Sequence, residues 1–101
     1  MELSPENRML AERIMSQILQ LLAVLKHVEE EIVVALEVEK NALKDVNESL
    51  EEHGLVPKTI GFSGKLHLAK IMVVKLKEQK EDVLLQIQRA NIERDELFLY
   101  D

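Results

Sequence analysis

Between Pro5 and Gly54 the chain contains neither glycine nor proline. Through that stretch apolar residues recur at Leu10, Ile14, Ile18, Leu21, Leu25, Val28, Ile32, Leu36, Leu43, Val46 and Leu50. Steps of three and four fit a helix and exclude strand alternation. The ends are marked as well. Ser4 can cap the first turn, Pro5 suits the first helical position, and Glu6 sits at the positive end of the dipole. After His53, Gly54 can take the left-handed conformation, Leu55 can pack back on Leu50, and Pro57 opposes resumption. The pattern predicts a first helix over about 5–53. The β-branched run Ile32-Val33-Val34 lowers helix propensity by only a few tenths of a kcal/mol per residue.

Gly54, Pro57, Gly61 and Ser63 predict a connection over about 54–63. Ser63 then caps a second helix over about 64–98, with a stripe of Ala69, Met72 or Val73, Leu76, Val83, Ile87, Ala90 and Leu97. The two stripes mirror each other when residue numbers add to about 119. Leu50 then faces Ala69, Val46 faces Val73, Leu43 faces Leu76, Leu36 faces Val83 and Ile32 faces Ile87. Glu39 falls opposite Lys80 as a register pair. Charge points the same way. Residues 37–52 carry six acids against two lysines, and residues 65–80 carry five lysines against one glutamate. Each block opposes its own helix dipole, and antiparallel packing would let each neutralise the other.

These features predict an all-α fold: one domain over 1–101, an antiparallel long helical hairpin, coiled-coil-like, completed as a four-helix bundle by dimerisation. A bend near Lys26-His27 or Lys40-Asn41 would instead close a three-helix bundle, although no turn residues mark one there. An aromatic content of 3% suits a helical bundle, and a 101-residue chain has a thin core unless another chain adds to it.

In the 119 register Asp101 pairs near Ile18, leaving Leu3, Met9, Leu10, Ile14 and Met15 overhanging. Leu19, Leu22, Val24, Val33, Val34 and Val38 widen the apolar surface of the first helix beyond its stripe. Ile71, Val74, Leu85, Ile92 and Leu99 do the same for the second. Two helices cannot bury each other on every side, so Leu10, Ile14 and Met15 with these eleven residues form the expected interface.

Chemistry is harder to find. Gly61-Phe62-Ser63-Gly64-Lys65-Leu66 carries part of a phosphate-binding loop, but Thr59 replaces a required glycine and Leu66 the hydroxyl that would hold magnesium. It reads as a turn entering a helix. His27, His53 and His67 lack metal-ligand spacing, although His53 and His67 would approach across the hairpin tip; they read as solvated. The acids, including Glu29-Glu30-Glu31, read as solvated faces. No catalytic, metal or cofactor-binding residue is assigned, and an enzyme is not expected.

Thirteen basic against nineteen acidic side chains give a net charge of −6, which disfavours a nucleic-acid partner. Cysteine is absent, which excludes disulfides and thiolate chemistry. The apolar run Ile14–Leu25 is too short to cross a bilayer, and the start lacks the features of a signal peptide. A soluble, intracellular and cytoplasmic protein is expected. The first functional expectation is a non-catalytic helical scaffold module that self-associates as a homodimer or binds another helical protein. The alternative is a small acidic chaperone or adaptor that sequesters an amphipathic segment of a client, with Met9, Met15 and Met72 lining its groove.

Overall fold

The computed structural model describes residues 3–100. It is all-α: two antiparallel helices, α1 (Pro5–His53) and α2 (Pro57–Tyr100), joined as a hairpin. α1 begins as its sequence dictates. The Ser4 hydroxyl accepts the Asn7 amide at 3.3 Å, and the Ser4 carbonyl accepts the Arg8 amide at 2.8 Å. No turn interrupts α1 at Lys26-His27 or Lys40-Asn41, so the three-helix alternative falls.

The connection is shorter than the sequence pattern suggests. It comprises Gly54, Leu55 and Val56, and the second helix starts at Pro57 where Gly64 was expected. Proline has no amide proton to lose and a backbone angle already suited to a first helical position, so Pro57 starts a helix here as Pro5 does. Val56 acts as its cap residue, its carbonyl accepting the Ile60 amide at 3.1 Å. Ser63, expected as a cap, lies inside α2, as do Gly61 and Gly64. α2 also runs on to Tyr100, past the expected end at 98. Gly54 closes α1 with φ of +67° and donates its amide to the Leu50 carbonyl at 3.1 Å. This is the single-bond left-handed cap, and a side chain there would be strained.

The chain divides into two compact units. The first joins Met1–His27 to Lys80–Asp101, and the second is Val28–Gln79. In the second unit α1 turns Val28, Ile32, Ala35, Ala42, Val46 and Ser49 inward, with Glu39 half-buried among them. α2 answers with Thr59, Ala69 and Val73, and with half-buried Phe62, Leu66 and Leu76. In the first unit the inward residues are Ala11, Ile18, Val83 and Ala90, with Ile14, Leu21, Leu25, Ile87, Arg94 and Leu97 half-buried. Within each unit the spacing alternates three and four, a seven-residue repeat of coiled-coil type.

Register is fixed by direct contacts. In the second unit Ser49 and Thr59 are hydrogen-bonded at 2.6 Å, so residues come level when their numbers add to about 108. That pairs Val46 with Phe62, Ala42 with Leu66 and Ala35 with Val73, and each of these faces the seam. In the first unit Arg94 Nη1 donates to Met15 Sδ at 3.2 Å, which fits the same offset. The mirror centre is therefore Gly54, and the 119 register is wrong. Glu39 comes level with Ala69 and is not the partner of Lys80. Leu36, Leu43 and Leu50, assigned to the seam, are exposed, and so is Leu10. Alanine and serine take their places because a strict seven-residue count runs through Ala35, Ala42 and Ser49. The N-terminal overhang shrinks as well, since Tyr100 comes level with Arg8, which sets Met9, Leu10, Ile14 and Met15 alongside α2. Phe98 lines a groove with Leu3, Ala11 and Met15, while Asp101 lies outside the described residues.

Candidate interaction surfaces

The hairpin tip in the second unit is built from hydroxyls. Thr59 Oγ1 donates to the Gly54 carbonyl at 2.8 Å. A hydroxyl has one proton, so Ser49 must donate in the 2.6 Å bond to Thr59. Both side chains are buried, and among the described residues no buried side-chain polar atom lacks a partner. Beside this clamp the amines of Lys58 and Lys65 lie 5.9 and 5.6 Å from the centre of the Phe62 ring. The segment resembling a phosphate loop is thus helical and its lysine stacks on an aromatic ring. His53 Nε2 lies 3.4 Å from Glu52 Oε2. Among the described residues no cluster of three or more histidines and acids could hold a metal.

Exposed apolar side chains dominate the rest of both units. In the second, α1 exposes Val33, Val34 and Val38 together with the leucine row Leu36, Leu43 and Leu50. α2 exposes Leu68, Ile71, Met72 and Val74 there. Val38, Leu68 and Met72 line an open groove of about 420 Å³ floored by Ala35, Ala42 and Ala69, with Asp45 and Lys65 on its rim. In the first unit α1 exposes Met9, Leu10, Met15, Leu19, Leu22 and Val24, and α2 exposes Leu84, Leu85, Ile92, Phe98 and Leu99. Leu3, Ala11, Met15, Leu19 and Phe98 line a groove of about 540 Å³ between the helices, edged by Arg8 and Glu12.

Of the fourteen expected interface residues, thirteen are exposed, from 37% at Ile71 to 73% at Leu99. Ile14 is the exception and is half-buried on the seam. Leu36, Leu43, Leu50, Leu68, Leu84 and Phe98 are exposed and were not assigned to the surface. For the leucine row the missed signal was the seven-residue count, which places all three one step to the side of the seam.

Charge differs between the units. In the second, α1 carries nine acids against two lysines, and α2 carries five lysines against one glutamate. In the first, α1 carries two acids and three bases, and α2 carries five acids and three bases. No helix among the described residues is long and apolar enough to cross a membrane. Comparison with known family models, curated proteins and solved structures finds no match to this chain.

Proposed function

We propose that this chain is a non-catalytic helical interaction module that self-associates through the apolar faces its own hairpin leaves outside. One observation carries the reading. Val33, Val34, Leu19, Val74, Leu85, Ile92 and Leu99 all point away from the seams and are 45–67% exposed, or 73% in the case of Leu99. Apolar surface repeated along both helices is the surface that another protein chain shields. A second copy is the simplest source of helices with the same repeat, and it gives a four-helix bundle. Sedimentation equilibrium tests this. The reading predicts a species of twice the 11.6 kDa chain mass at micromolar concentration, and a helical monomer throughout that range contradicts it.

The groove of Leu3, Met15, Leu19 and Phe98 favours a second reading, an adaptor that holds an amphipathic helix of a client. Methionine adapts to varied apolar partners. Here the expected result is a monomer whose melting temperature rises when an amphipathic helical peptide is added. A melt unmoved by such peptides argues against it.

A further inference from the structure

We infer that the outer face of α2 in the first unit pairs with the same face of a second copy, antiparallel, about a two-fold axis at Ile92. The inference rests on the self-association reading and adds to it the face and the orientation.

Leu85, Ile92 and Leu99 are spaced seven apart, about 10.5 Å per step along the helix. At 3.6 residues per turn this row lies about 180° from the seam formed by Val83, Ile87, Ala90 and Leu97. α1 therefore cannot reach it within the unit, and the three residues are 45%, 50% and 73% exposed. Three large apolar residues at equal intervals, centred on one of them, are self-complementary under a two-fold axis. Ile92 meets its own copy, and Leu85 meets Leu99 of the partner.

Charge selects the occupant and the direction. The helix faces beside the row carry Arg89, three residues before Ile92, and Asp95 and Glu96, three and four residues after it. In an antiparallel pair each Arg89 comes level with the acids of the other copy, twice over by symmetry. Asp95 is already 3.5 Å from Arg94 of its own chain, so Glu96 is the more available acid. A parallel pair would set Arg89 against Arg89 and acids against acids, which is unfavourable. The face thus fits a second copy in one orientation.

The chain has no cysteine, so single cysteines report pairing without interference. Ile92→Cys is expected to form a disulfide-linked dimer under mild oxidation. Leu85→Cys alone is not, because its two copies would stand roughly 21 Å apart, beyond the ~7 Å a disulfide spans. Leu85→Cys mixed with Leu99→Cys is expected to cross-link as the mixed pair. Arg89→Glu should weaken the dimer about tenfold, and adding Glu96→Arg should recover most of that loss. Efficient self-linkage by both Leu85→Cys and Leu99→Cys would overturn the antiparallel arrangement. A dimer by sedimentation with no linkage at any of the three positions would overturn this face while leaving self-association standing. A monomer by sedimentation would remove both.

Discussion

The two units build the same kind of seam and finish it differently. The second ends in a buried hydroxyl clamp, Ser49 to Thr59 to the Gly54 carbonyl, and sets an acidic helix against a basic one. The first ends in Arg94 reaching the Met15 sulfur, over an apolar groove, with no charge opposition of comparable size. Directional bonds and opposite charges specify which residues meet, whereas apolar faces supply association with little directional preference. The second unit therefore carries the contacts that specify the hairpin's register, while both units leave apolar faces exposed.

The largest expected effect separates seam from surface within the second unit. Val73 is 5% exposed and its neighbour Val74 is 55% exposed. Val73→Asp should cost at least about 3 kcal/mol and abolish cooperative melting, because it places an unpaired carboxylate between the helices. Val74→Asp should keep the helical circular dichroism signal and cost less than about 1 kcal/mol in the isolated protomer. Equal losses from the two would erase the distinction.

The clamp comes next. Thr59→Val keeps the shape and removes the hydroxyl that bridges Ser49 and Gly54. The expected cost is about 1–3 kcal/mol, with faster amide exchange around the tip in the second unit and unchanged exchange in the first. Uniform acceleration in both units would show that the clamp is not local. Two glycines offer a gain in the same unit. Gly61 and Gly64 are helical, lack positive φ, and have nothing within 4 Å of where a Cβ would stand. Gly61→Ala and Gly64→Ala should each raise stability by about 0.5–1 kcal/mol, read as a higher melting temperature. A loss would mean that another chain approaches these positions closely.

The smallest effect tests the charged flank. Asp45 and Lys65 sit on the rim of one groove. A double-mutant cycle exchanging them should show coupling of about 0.5 kcal/mol or less, favourable, and reduced by salt. Coupling that is unfavourable would mean that the two do not face each other across this groove.

Much of this was legible from the residues alone. The start at Ser4-Pro5, the stop at Gly54 and the apolar seam positions of α2 from Ala69 to Leu97 follow from caps and apolar spacing, while Thr59, Phe62, Leu66 and Arg94 do not. α1 was harder because its large leucines compete with its alanines. Leu36, Leu43 and Leu50 each follow directly after Ala35, Ala42 and Ser49, and weighting by side-chain size moves the stripe one residue sideways. That shift, together with reading Pro57 as a terminator when it is a first helical residue, displaced the mirror centre from Gly54. Thr59 carried no sequence signal of its clamp, because the partner that buries its hydroxyl comes from ten residues earlier across the turn. Most of the expected surface residues survived the register error. A helix apolar on several sides exposes such residues in either register, so they identify a surface without fixing the seam.

The account depends on the seam that turns the leucine row outward, and paired cysteines within the second unit test it directly. Ala42→Cys with Leu66→Cys should close an intramolecular disulfide in dilute solution, whereas Leu50→Cys with Ala69→Cys should stay reduced. Closure of the second pair and not the first would contradict the register, and with it the surfaces assigned to association.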